Sequence, residues 1–248
     1  MGPMILAEGS RLLAALVLIP TAAVVVAMFV VLWRERTTPR TAWVAVASGL
    51  VLAAWGVITA CLGARGAYLQ RDIRDLPPVA VQLLTALAAM ALLLATSPSL
   101  RSLLTNQKNL LRLNLWRLEG AVFLALMLAG QMPALWAVPA GVGDIIVGLA
   151  AFPVASRLEG PGGVRRAIGF NLFGLADLVV AVALGIMTSP GPAQVFRTVP
   201  TSELVTRFPL VLVPGFLVPL AFMLHIVSLW QLFGLRWVEQ RGQRPPIH

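Results

Sequence analysis

The sequence predicts an all-α, polytopic integral membrane protein with seven transmembrane helices, its N-terminus outside and its C-terminus in the cytoplasm. Three observations lead there. Of 248 residues, 58% are hydrophobic and only 12% charged, against roughly 25% charged in an ordinary soluble domain. The apolar residues gather in runs of about 20, the number a helix needs to cross roughly 30 Å of hydrocarbon. The basic residues sit mainly in the gaps between those runs.

The first span covers residues 12–33, uncharged throughout, and the second covers 42–63. The third, 78–95, is closed by Ser97-Pro98-Ser99. Residues 101–113 then mix Leu103, Leu104, Leu110 and Leu111 with Asn106, Gln107, Lys108 and Arg112, the pattern of a helix lying in the interface. From Trp116 to Ser156 the apolar character hardly breaks. One helix of that length would measure about 60 Å, twice the bilayer core, so the chain must fold back. Gln131-Met132-Pro133 is the natural turn, giving a fourth span at 114–131 and a fifth at 133–154. The stretch Glu159-Gly160-Pro161-Gly162-Gly163 ends the fifth, and spans six and seven follow at 167–187 and 208–232. Residues 192–207 either lie on the outer interface or dip inward as a cap, and the surface-hugging connector is the plainer of the two readings. The whole chain is a single membrane domain.

Seven spans place thirteen basic residues on one side and six on the other, and the positive-inside rule assigns the thirteen to the cytoplasm. The expected location is a bacterial cytoplasmic (inner) membrane. A pI near 11.6 needs no nucleic acid here, because juxtamembrane arginines meet anionic lipid heads. The expected partner is the lipid bilayer. Cys61 is the only cysteine, read as packing, and His225 and His248 are the only histidines. No disulfide follows, and neither a metal site nor a cofactor is expected. The start, Met1-Gly2-Pro3-Met4, lacks a basic signal region and offers Met4 as a second start, so the first run reads as a retained helix.

Charged groups deep in a bilayer are costly and usually functional. Asp144 and Asp177 fall near the midplane, about 16 and 15 Å from their helix ends at 1.5 Å per residue. His225 and Asn171 lie about 10 and 6 Å from the cytoplasmic ends of theirs. Glu119 enters the fourth span beside Arg117, as in a snorkelling pair. All five belong to spans four to seven. Spans one to three carry no such group and read as a scaffold. Helix breaks fall in the same half: Pro139, Gly141 and Gly143 in span five, Pro214 and Pro219 in span seven. Breaks at membrane depth line protein or a wet cavity, so these five are candidate hinges around a pocket.

Gly141-x-Gly143-Asp144 is similar to the GxGD motif of intramembrane aspartyl proteases, and Pro133-Ala134-Leu135 spells their PAL signature. That resemblance implies a catalytic pair, Asp144 with Asp177. The chain departs from the family in order, since both the PAL segment and the GxGD acid come too early. Seven helices with an outside N-terminus resemble rhodopsin topology, but the last span has no lysine for a retinal Schiff base. The pattern Asn171-x2-Gly174-x2-Asp177, followed by Pro209, Pro214, Pro219 and His225, resembles a family of bacterial multi-pass membrane proteins over residues 133–232. No activity comes with that likeness.

The leading expectation is a small transporter, channel or receptor for an unknown small molecule or ion. Asp144 and Asp177 would exchange protons or cations, and His225 would act as an inner relay. The alternatives are an aspartyl protease and a non-catalytic assembly or lipid-organising protein. Association with further copies of the chain stays open.

Overall fold

The computed structural model describes the backbone of residues 3–70, 72, 74 and 76–242, and within that range the side chains of 11–234. Met1, Gly2, Arg71 and His248 lie outside the described residues, and so do the side chains of Arg236 and Arg241. The described elements are helical. They comprise α1 (Pro3–Arg34), α2 (Pro39–Ala64), α3 (Pro78–Thr96), α4 (Pro98–Leu103), α5 (Gln107–Arg112), α6 (Gly120–Leu128), α7 (Ala134–Ser156), α8 (Gly163–Thr188) and α9 (Val218–Gly242). Leu113–Glu119 is a 3-10 helix joining α5 to α6, Ser202–Thr206 a second one, and Val213–Leu217 a π-helix leading into α9.

Among the described residues, six helices are long and apolar enough to cross a membrane: Arg11–Arg34, Pro39–Ala64, Pro78–Thr96, Ala134–Ser156, Gly163–Thr188 and Val213–Gly234. The seventh, expected at 114–131, is not one α-helix. It is divided between α5, the 3-10 segment and the nine-residue α6. The fold-back expected near Gln131 does form. Gly130 takes φ +69°, Gln131 N–H donates to Leu126 C=O, and Pro133 opens α7. A left-handed glycine followed by proline is the usual way to stop one helix and start the next.

The helix expected in the interface at 101–113 is instead two short ones, each with its own cap. Ser97 Oγ accepts from Leu100 N–H at 3.2 Å and Asn106 Oδ1 from Asn109 N–H at 3.1 Å. Nor does the pair float on a surface. Leu103, Leu104, Leu110 and Leu111 are all 2% exposed or less, tucked against α2, α7 and α9.

The seventh expected span also starts differently, as a π-turn. Proline lacks the N–H that would reach four residues back, so Pro219 orphans the Gly215 carbonyl. Gln82 Nε2 of α3 donates to it at 2.7 Å and to Thr59 Oγ1 of α2 at 2.8 Å, while Tyr68 Oη donates to Gln82 Oε1. Burial pushes the Tyr68 phenol above its ordinary pKa, which keeps it a donor. The first three helices therefore do hold buried polar groups, contrary to the sequence reading. Their role there is to satisfy a broken helix.

The packing is centred on α7, which meets α6, α8 and the 3-10 segment. By contrast α2 and α3 diverge, leaving an apolar groove of about 640 Å³ between them, floored by Met28, Leu32 and Met223. Cys61, expected to pack, is exposed. The connector at 192–207 does not merely hug a surface. Ser202, Val205 and Thr206 are buried, and Ser202 Oγ donates to Gly185 C=O at 2.9 Å over the end of α8.

Candidate functional site

Four segments each turn one stripe of residues inward. On the 3-10 segment three residues make one turn, so Asn114, Arg117 and Gly120 share a face. Burial follows that period: Asn114 and Arg117 are fully buried, while Leu115 and Leu118 are 42% and 37% exposed. On α8, Asn171, Gly174 and Asp177 recur every third residue, and on α9 so do His225, Ser228 and Gln231. Asp144 occupies the middle of α7. Residues three apart on a helix are neighbours, so each stripe faces the centre.

At that centre is Arg117. Its Nε–H donates to Asp144 Oδ1 at 2.5 Å, and its NH2 group to Asp177 Oδ2. Its NH1 group reaches Gly174 C=O at 3.3 Å and His225 Nε2 at 3.1 Å. Arginine presents five N–H donors in a fixed fork, and here they are spread over α7, α8 and α9. The buried charge is thus paired and hydrogen-bonded, the condition under which burial is tolerated.

Close approach needs glycine at several places around this centre. A Cβ on Gly143 would collide with the Asp177 carboxylate, and one on Gly174 with the His225 ring. The GxG before Asp144 therefore has a packing role: Gly141 meets Gly120 C=O, with 2.8 Å to where its Cβ would sit, and Gly143 seats Asp177. Helix α7 continues unbroken through Pro139, while Pro214 lies inside the π-turn.

From Arg117 a chain of hydrogen bonds runs to one end of the bundle. Asn171 Nδ2 donates to Ala167 C=O and to Ser228 Oγ at 2.8 and 2.9 Å, so its Oδ1 faces His225 Nδ1, 2.8 Å away, as acceptor. That makes Nδ1 the protonated ring nitrogen and leaves Nε2 to accept from Arg117. His225 is thus a neutral acceptor toward Arg117 in this arrangement. Ser228 Oγ then donates to Gln107 Oε1 at 2.7 Å, Gln107 to Gln231 Oε1 at 2.6 Å, and Gln231 to Leu104 C=O at 2.5 Å. Each member thus donates to the next, away from Arg117, and Gln107 Nε2 also donates back to Ser228 C=O at 3.3 Å.

Toward the other end lies a cavity of about 100 Å³. Tyr68, Pro77, Ser189 and Glu203 line it among the connectors, Phe123 and Trp136 line it deeper, and Asp144 belongs to its wall. The two deep aromatics meet edge to face at 4.8 Å, and Trp136 Nε1–H donates to Ala181 C=O at 2.9 Å.

Asp144, Asp177, His225 and Asn171, singled out in the sequence, are thus brought together. Glu119 is 7% exposed, but it forms no pair with Arg117, and neither of its oxygens has a hydrogen-bond partner among the described residues. The snorkelling pair is replaced by a buried one, because 3-10 geometry turns Arg117 toward α7 and α8. Arg117, Ser228, Gln107 and Gln231 were missed. The available signal was that Arg117 is the only basic residue between Arg112 and Arg157, and so the nearest cation for two midplane acids.

No curated protein and no solved structure matches the chain. Residues 76–233 match the family described as Domain of unknown function (DUF8737), a stretch that takes in α3 to α8 and most of α9 and so every member of the Arg117 network. The chain belongs to the DUF8737 family.

Proposed function

We propose that the protein is a small secondary transporter whose solute site is the cavity ending at Asp144, with proton movement coupled to solute binding beside the Arg117–Asp144–Asp177 centre. The observation that carries this is the asymmetry about Arg117. On one side a cavity leads from the connectors to Asp144; on the other the Asn171–Ser228–Gln107–Gln231 chain fills the interior with satisfied hydrogen bonds. A site reachable from one end and sealed toward the other is one half of an alternating-access cycle. Amide side chains relay protons poorly, so the sealed side supports a gate better than a proton wire. The ion-paired arginine between the two carboxylates supports transport over proteolysis, where two acids share a water.

Seven crossings belong to this reading. The run α5–3-10–α6 is continuous from Gln107 to Leu128 and extends about 36 Å at 1.5 and 2.0 Å per residue, enough to cross. With Arg117 inside the bundle, the basic residues of the loops still favour one side by twelve to six. That supports an outside N-terminus, a cytoplasmic C-terminus and a cavity opening outward. The resemblance noted over residues 133–232 supports a bacterial inner membrane.

The test is proton flux into proteoliposomes holding a pH dye, screened with small cations, anions and neutral solutes. The wild type is expected to couple proton movement to one of these classes, and Asp144→Asn/Asp177→Asn to none. Wild type and double variant behaving alike across the screen would overturn the reading.

A further inference from the structure

The charges around Arg117 do not balance, and the imbalance names a ligand. Arg117 brings one positive charge, while Asp144, Asp177 and Glu119 bring three carboxyls. His225, facing from α9, is neutral by its hydrogen bonds. Tyr68 and Glu203 lie at the cavity mouth. Two of the acids are held by the guanidinium. Glu119 is not: it is buried, neither of its oxygens has a partner among the described residues, and its neighbour Gly120 rests against Asp144, with 2.5 Å between Asp144 Cβ and the place a Gly120 Cβ would occupy. An ionised carboxylate with no partner in a dry site is costly enough that the group takes up a proton instead. Its third acid therefore makes this site a cation-binding one, for a proton or for another monocation.

The cavity says which other. Its deep wall carries one carboxylate, Asp144, beside the aromatic pair Phe123 and Trp136, while the second carboxylate of the lining, Glu203, lies among the connectors with Tyr68, Gln70, Ser189 and Thr206. Aromatic faces attract cations that are only weakly hydrated. A strongly hydrated metal ion would find too few oxygen ligands there.

We propose that the site exchanges a proton on Glu119 for a small apolar organic monocation, of the quaternary-ammonium or amine class, bound in the cavity against Asp144, Phe123 and Trp136. The step balances. One proton leaves the Glu119 carboxyl as one monocation seats, so the buried net charge is the same before and after. Glu119 is the proton carrier, and the Asp144–Arg117–Asp177 group stays ion-paired throughout.

This rests on the transport reading, and the experiment separates the two. Proteoliposomes of the full chain, loaded with a pH dye, receive tetramethylammonium, which fits a cavity of about 100 Å³ and carries no proton. Pivalate and tert-butanol serve as anionic and neutral counterparts of similar shape. The expected result is saturable lumenal alkalinisation with tetramethylammonium alone, lost at least tenfold in Glu119→Gln and retained in Glu119→Asp. As a second reading, adding tetramethylammonium to the wild type in unbuffered detergent is expected to release one proton per protein. Wild-type exchange in Glu119→Gln, or no proton release in detergent, overturns the proposal. Saturable proton flux driven by pivalate or tert-butanol above that of protein-free vesicles overturns the cation while leaving a transporter. No coupled flux with any solute class overturns the transport reading itself.

Discussion

Helices α3 and α7 are both apolar enough to span a bilayer, yet 6% of the most apolar stretch of α3 is buried against 50% in α7. In water such a difference would mark α3 as unstable. In lipid it does not, because apolar side chains gain little by leaving hydrocarbon and helices associate through close packing and polar contacts. Helix α7 is enclosed because it carries Asp144 and the glycines that let α6 and α8 come near. Helix α3 is tethered by the one amide, Gln82, that serves the π-turn. Burial in this molecule tracks what must be hidden from lipid more than what is greasy.

The sharpest way to break that comparison is to remove the arginine. Arg117→Leu leaves two buried carboxylates unpaired and is expected to cost about 3–5 kcal/mol, read as loss of a monodisperse peak after heating in detergent. Arg117→Met with Asp144→Asn and Asp177→Asn should recover most of that loss, since apolar or neutral replacement of a whole buried ionic group is often near neutral. Next come the glycines. Gly143→Ala and Gly174→Ala each force a methyl onto a buried polar side chain and should cost about 1–3 kcal/mol. Gly169→Ala, with nothing within 4 Å of its added Cβ, should be neutral or gain up to about 1 kcal/mol in helix propensity. Equal effects at the three sites would refute the packing argument.

On the α3 side the expected effects shrink. Gln82→Leu leaves the Gly215 carbonyl unsatisfied, a loss of about 1–3 kcal/mol, with faster amide exchange around the π-turn as its local signature. Smallest of all, Leu84→Ala at a site 66% exposed to lipid should stay within about 0.5 kcal/mol of wild type. A Leu84 effect as large as that of Gln82 would mean that α3 is held by apolar contacts after all.

The runs of apolar residues made the long helices legible, and the isolation of Asp144 and Asp177 made half of the site so. Arg117 was hidden because an arginine just before an apolar run reads as an interface anchor, and nothing but the 3-10 period turns it inward. The spacing of Leu115, Leu118 and Ala121 carries that period, yet over so few residues it is hard to tell from 3.6. Gln82 was hidden for a different reason. A lone amide in an apolar helix has no partner in its own sequence neighbourhood, and the carbonyl that needs it is freed by Pro219, more than a hundred residues away. A proline at membrane depth announces an orphan carbonyl four residues earlier; it does not say which helix will supply the donor.

The seven-residue 3-10 segment, Leu113–Glu119, has a mechanical consequence. A 3-10 helix advances about 2.0 Å and turns about 120° per residue, against 1.5 Å and 100° in an α-helix. Rewinding the segment to α would draw α6 in by about 3.5 Å and rotate it by roughly 140° relative to α5. The segment is a screw thread with the guanidinium mounted on it, and any motion along that thread moves Arg117 and Glu119 together.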